Sequence, residues 1–200
     1  MEDLHVHHGD DLPDNLAWKM FREGDDQAMN VILQRYFRPL LHYGSKFSAD
    51  RSLVEDTIQD LFLGFLEKRQ DLGSPANLKN YLFKCLRNNL IRQVKEKARL
   101  KPIEEDDALF TEPTNIQDII MGLENSHEMS QRISSLFLSL TKRQKEVMFL
   151  RYYENRSNDE IAEIMDINKQ SVSNLLAQCL TVLRENWVHI LFLLLPSQIK

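Results

Sequence analysis

Apolar residues return every three or four positions through almost the whole of this 200-residue chain, the spacing that lines one face of a helix. No stretch sustains the two-residue alternation of a strand, so the expected fold class is all-α. Three hydroxyl residues, each followed three positions later by a side chain able to reach back, mark helix starts: Ser52 with Glu55, Thr141 with Gln144 and Ser157 with Glu160. The periodicity predicts helices over 14–23, 26–46 (Pro39 a kink point), 52–69, 78–99, 116–138, 141–154, 157–165, and 168–186 or beyond. Only six Gly and six Pro interrupt these segments, which excludes collagen-like and linker-like chains.

The length suits one or two compact domains, and the charge pattern favours two. The overall net charge of −5 conceals strong blocks. Between Lys79 and Lys101, eight bases face one acid, Glu96, a local net of +7 that makes a candidate phosphate-binding face. From Ile103 to Gln131 the sign reverses: eight acids and no Lys or Arg, with Pro102 and Pro113 as breakers. We therefore expect a tail over 1–13, a helical domain over 14–100, an acidic linker over 101–131, a second helical domain over 132–186 and an apolar tail over 187–200.

The second domain carries the more specific pattern. A short helix with Ile161, Ala162 and Met165 is followed by a break at Asp166, Ile167 and Asn168, then by a helix with Val172, Leu176 and Leu183 facing inward. This is helix-turn-helix spacing, with small Ala162 at the crossing and Asp166 where a left-handed backbone is needed. Asn168 is placed to cap the second helix, leaving Lys169, Gln170, Ser173, Asn174 and Gln178 outward, side-chain types that hydrogen-bond base edges in a major groove. Lys142, Arg143, Arg151 and Arg156 are available to phosphates. A polar outer face is also what any solvated helix presents. From Thr141 to Arg184 there are seven bases and six acids, so this domain alone should bind DNA weakly and suits tethering within a larger assembly.

In the first domain, helix 52–69 turns Val54, Ile58, Leu61, Phe62 and Phe65 inward and gathers Glu55, Asp56, Gln59 and Asp60 on another face. That face suits a basic protein partner, or simply solvent. Helix 78–99 interleaves Tyr81, Phe83, Asn80 and Asn88 with its bases, a composition suited to single-stranded or melting DNA because unpaired bases stack on rings while cations follow the backbone. Tyr81, Leu82, Leu86, Leu90 and Val94 also have core spacing.

Other chemistries find little footing. Cys85 and Cys179 are far apart, without Cys or His at ligand spacing, so no metal, cofactor or disulfide framework is expected. There is no Gly-rich phosphate loop and no nucleophile motif, hence no enzyme and no small-molecule substrate. Met1 to Asp14 has acids and three histidines where an export signal needs a basic start and an apolar stretch. The longest apolar run, Ile190 to Leu195, is too short to span a membrane. A cytoplasmic protein is expected.

With both halves in hand, the chain resembles a bacterial RNA polymerase sigma factor of the sigma-70 family, extracytoplasmic-function branch, over residues 15–100 and 132–186. Val54 to Phe62 resembles that family's polymerase-binding helix, Tyr81 to Asn88 its −10 element helix, and Leu140 to Arg184 its −35 domain. The resemblance implies that core RNA polymerase and promoter DNA are partners, with an anti-sigma factor as a further one. Glu55, Asp56, Gln59 and Asp60 become the polymerase-binding set, the last three meeting a coiled coil of its largest subunit. Tyr81, Lys84, Arg87, Asn88, Arg92 and Lys95 become the −10 set, Asn88 at the pocket for a flipped base and Lys84, Arg87 and Arg92 on the strand backbone. Lys142, Arg143, Arg156, Lys169, Gln170, Ser171, Ser173 and Asn174 become the −35 set. The acidic linker would thread the polymerase and imitate nucleic acid. Leu175 and Gln178 stand where the family often has Arg, and Tyr81 where it usually has Trp. The alternatives are an autonomous helix-turn-helix regulator and a sigma-like protein that only sequesters polymerase or an anti-sigma factor.

Overall fold

A computed structural model of the chain describes residues 12–98 and 139–194, with side chains described to 96 and 185. The described residues form seven α-helices and no strand, the expected class. The predicted linker and the predicted helix at 116–138 lie outside the described residues. The chain divides into two compact units, residues 1–93 and 94–200.

The first unit contains α1 (Asp14–Arg22), α2 (Asp26–Gly44), α3 (Arg51–Glu67) and α4 (Leu78–Ala98), the last continuing past the division. Gly24 stops α1 with a φ of 109°, a conformation that L side chains rarely adopt. Asp25 then caps α2, its carboxylate accepting the Gln27 and Ala28 amides at 2.8 and 3.3 Å. α2 runs unbroken through Pro39, although that residue has no amide to give the carbonyl four positions back.

The predicted start of α3 needs correcting. Ser52 lies inside the helix, and the cap is Asp50, whose carboxylate accepts the Leu53 amide at 3.1 Å. A full charge two positions earlier outcompetes a hydroxyl for the positive helix end, and Glu55 bonds Arg51 at 2.7 Å instead of reaching back.

The core of this unit gathers Ile32, Leu40, Tyr43, Phe47, Val54, Ile58, Leu82, Phe83, Leu86 and Leu90, all essentially inaccessible. Tyr43 stacks on Phe83 with centroids 4.8 Å apart. Gly44 is where α2 meets its neighbours closely: a Cβ there would strike the Val54 side chain and touch Leu90 and Leu86.

The second unit contains α5 (Lys142–Met148), a π-turn over Phe149–Tyr153, α6 (Asn158–Met165) and α7 (Lys169–Leu194). Both capping boxes expected here form. Thr141 Oγ1 accepts the Gln144 amide at 3.3 Å while the Thr141 amide reaches Gln144 Oε1 at 2.9 Å. Ser157 and Glu160 repeat the exchange at 3.3 and 2.9 Å. The predicted helix 141–154 is instead a seven-residue α-helix that widens into the π-turn. Asn155, at φ 52°, then reverses the chain, and the Arg156 amide closes onto the Leu150 carbonyl at 2.9 Å.

Asp166 takes the left-handed conformation, φ 55° and ψ 48°, that the turn between α6 and α7 demands. Asn168 caps α7, accepting the Ser171 amide at 2.7 Å. Val147, Phe149, Leu150, Ile161, Ile164, Met165, Val172 and Cys179 form this unit's core, while Ala162, Leu176 and Leu183 are only half-buried. α7 continues to Leu194, into the apolar segment expected as a tail.

Candidate functional site

On α3, the residues at inward spacing do face the core, since Val54, Ile58, Leu61, Phe62 and Phe65 are all buried. The helix thereby turns Asp56, Gln59 and Asp60 to solvent, with Glu55 half-buried against Arg51. One turn beyond Gln59 and Asp60 lies Leu63, 55% exposed. Acid, amide and leucine at positions 56, 59, 60 and 63 share one face. Leu63 was missed in the sequence because leucines on the buried side carry the same label; only its exposure separates it.

On α4, positions 81, 84, 88, 92 and 95 follow one another at intervals of three and four and share a stripe. Asn88, Arg92 and Lys95 are exposed, and Tyr81 and Lys84 half-exposed. Arg92 Nη2 lies 3.4 Å from Asn89 Oδ1. Burial holds the Tyr81 phenol up at about 12, helped by the neighbouring Cys85 charge and hydrogen bond. Burial also raises the Cys85 thiol, outweighing the hydrogen bond from Tyr81 and the Lys84 charge.

Three expectations for α4 fail. Arg87 is only 7% exposed and Asn80 and Phe83 are fully buried. Position 87 lies off the stripe, toward the core line of Leu82, Phe83, Leu86 and Leu90, so its guanidinium faces the protein rather than a DNA strand. Phe83 is occupied by Tyr43 and is no stacking platform.

A cleft of about 390 Å³ lies between α3 and α4 and brings the two candidate sets together, lined among others by Asp60, Lys68, Leu72, Tyr81, Asn89 and Arg92. Thr57 and Gln93 also line it and join the helices, Oγ1 to Oε1, at 2.9 Å.

In the second unit, the start of α7 presents Lys169, Gln170 and Asn174 to solvent, with Ser171 and Ser173 half-buried. These side chains are mutually ordered. Lys169 Nζ pairs with Asp159 at 2.8 Å, Gln170 Nε2 donates to Asn174 Oδ1 at 3.0 Å, and Asn158 Nδ2 donates to Ser173 Oγ at 3.2 Å. Lys142 and Arg143 are half-buried and Arg151 exposed, its Nη1 donating to the Arg156 carbonyl at 3.0 Å.

Arg156 is the further correction. It is 9% exposed and pairs with Glu160 at 3.1 Å and Glu154 at 3.9 Å. The reversal at Asn155 turns it back over α6, where it serves the helix start instead of a phosphate. Burial pushes the Glu160 carboxyl upward, but the Ser157 hydrogen bonds and the Arg156 hydrogen bond and charge prevail and hold it below its ordinary value.

Burial raises the Cys179 thiol to about 11. Among the described residues no group of three or more His, Cys, Asp or Glu is placed to hold a metal ion, and no helix is long and apolar enough to cross a membrane.

Comparison with known proteins follows the same division. Residues 32–100 match the Sigma-70 region 2 family model and residues 130–181 that of Sigma-70, region 4. Over 179 residues the chain is 24% identical to the RNA polymerase sigma-28 factor of Bacillus thuringiensis subsp. kurstaki, spanning 78% of this chain and 74% of that one. Among solved structures, CnrH in complex with the cytosolic domain of CnrY has a TM-score of 0.58 at 16% identity, covering 86% of this chain and 95% of that one. The sigma factor RpoE of Bartonella quintana, in complex with the anti-sigma factor NepR, has a TM-score of 0.53 at 19% identity, covering 78% and 93%. At such identities the two structures speak to fold.

Proposed function

Because this chain belongs to the sigma-70 family of bacterial RNA polymerase sigma factors, we propose that it is a member of the extracytoplasmic-function branch that binds core RNA polymerase in the cytoplasm, reads both promoter elements and promotes strand opening. The family is one of transcription initiation factors without catalysis of their own. The observation that carries the reading is the pairing in one unit of an acidic face on α3 with a basic stripe on α4, across a shared cleft.

Asp56, Gln59, Asp60 and Leu63 dock on the polymerase, the leucine supplying apolar area and the acids selecting a basic surface. Tyr81, Lys84, Asn88, Arg92 and Lys95 then follow the −10 strand, a ring and an amide for unpaired bases and cations for phosphates. Lys169, Gln170, Ser171, Ser173 and Asn174 face the −35 major groove, with Lys142 and Arg143 near phosphates. The near-neutral second unit gains occupancy through its tether, so the order is polymerase first and DNA second. Residues 14–100 and 132–186 act as the two functional domains, with the acidic segment as their connector.

The two structural relatives are complexes, one with the cytosolic domain of CnrY and one with the anti-sigma factor NepR. They support a second element of the reading, that an anti-sigma factor holds this chain until it is needed.

Reconstitution tests the proposal. Mixed with bacterial core RNA polymerase, the chain should co-elute and direct discrete starts in run-off transcription on genomic fragments. Asp60→Arg should abolish co-elution with the fold intact, because it reverses charge on the docking face. DNA binding without polymerase would instead mark an autonomous regulator, and co-elution without transcripts a sequestering protein.

A further inference from the structure

The matched region 2 segment begins at residue 32, so α1 lies outside it. Yet α1 makes specific long-range bonds to the connection between α3 and α4. Trp18, buried, donates its indole N–H to the Gly73 carbonyl at 2.9 Å. Arg22 Nη1 donates to Ser74 Oγ at 2.6 Å. At the start of the connection Arg69 lays its guanidinium 5.5 Å from the Phe21 ring centre of α1 and bonds Asp26, the first residue of α2, at 2.7 Å.

The far end of the same connection sets the start of α4. Asn77 Oδ1 accepts the Asn80 amide at 3.0 Å, and the Asn77 carbonyl accepts the Tyr81 amide at 3.1 Å. Trp18 also reaches the basic stripe directly, since its ring meets Tyr81 edge-on at 5.8 Å while Phe65 stacks on Tyr81 at the same separation. A Cβ at Gly73 would meet open space, so on that side the Trp18 bond to its carbonyl is the contact that holds the backbone to α1.

We propose that α1 is a positioning element for the DNA-facing stripe of α4, with Trp18 and Arg22 holding the 69–77 connection and the Tyr81 ring in the geometry that strand opening requires. The inference rests on the promoter-opening role proposed above. A ring clamped between α1 and α3 meets an unpaired base without first losing rotational freedom, the advantage of a preorganised site. Trp18 and Arg22 act through Tyr81 and the connection and are positioning residues.

The test uses full-length variants assembled with core RNA polymerase on a promoter identified by run-off transcription. Trp18→Phe keeps a ring but deletes the donor, Ser74→Ala deletes the acceptor for Arg22, and Ser74→Thr retains a hydroxyl. Polymerase affinity, closed-complex affinity and permanganate reactivity of unpaired thymines are read separately. The double variant Trp18→Phe/Ser74→Ala should open about tenfold more slowly, the combined loss of the part-buried Trp18–Gly73 bond and the exposed Arg22–Ser74 bond in the activated state. The two affinities should be unchanged, and Ser74→Thr should open at the wild-type rate. Opening at the wild-type rate in the double variant overturns the inference, as does a parallel loss in all three measurements, which would mark α1 as purely structural. If wild-type holoenzyme opens no promoter, the reading beneath it falls as well.

Discussion

Replacing Arg156 separates two roles for a residue that the chain's spacing offers to DNA and the fold withdraws from it. Its guanidinium sits between Glu160, at 3.1 Å, and Glu154, at 3.9 Å. Breaking a buried pair by removing one partner costs about 3–5 kcal/mol, chiefly because the other charge is left dry. Here the two acids differ: the Glu154 side chain is 8% exposed, whereas Glu160 is 29% exposed and keeps its Ser157 bonds. The full cost of a broken buried pair therefore applies to Glu154 at most, so Arg156→Ala should destabilise α6 and α7 by about 2–3 kcal/mol. In hydrogen exchange on the full chain this is a loss of roughly 30- to 140-fold in protection where exchange proceeds through opening of that unit. Amides of α1, α2 and α3 should be unaffected. Arg156→Met, which restores packing but not charge, should recover only part of the loss, because neither ion pair is rebuilt. Unchanged protection together with weakened −35 binding would refute the reasoning and return Arg156 to the phosphate contacts.

Gly44→Ala should destabilise the first unit by about 1–2 kcal/mol, overpacking against Val54 outweighing the better helix propensity of Ala. Equilibrium unfolding checks this, and Val54→Ala in the same chain should relieve part of the loss. Glu160 has a folded-state value held below its ordinary one. Its contribution is therefore complete above the ordinary carboxylate range and lost as pH falls through the lowered value. Stability measured against Glu160→Gln should show an advantage at pH 7 that vanishes in acid. Asn174→Ala should weaken binding to the −35 element by about 1–3 kcal/mol, the worth of a good base contact, with polymerase affinity unchanged in a competition assay.

Much of this molecule is written locally. Helical period and hydroxyl–amide spacing are properties of a few adjacent residues, and so α5 and α6 begin where Thr141 and Ser157 put them. The turn at Asp166 is legible for the same reason: its shape is decided by one residue's tolerance of positive φ. Ser52 shows the limit of such reasoning, because two acceptable caps lay within three positions and the charged one prevailed. The basic stripe of α4 was legible as composition, but which members face outward was not. Arg87 and Arg92 are the same residue type about one turn and a half apart, and only the burial of the α4 face carrying Leu82, Phe83, Leu86 and Leu90 decides that the first is buried and the second exposed.

Arg156, Leu63 and the tethers from α1 belong to the same class. Each depends on partners brought close by the path of the chain: an acid before a left-handed reversal, a core that leaves one leucine outside, a carbonyl 55 positions from the indole that binds it. Sequence alone determined the helical class, the caps of α5, α6 and α7, the order of charge blocks and the family. Tertiary structure decided which charged groups remain at the surface, because burial is set by what other segments cover and no local spacing encodes it.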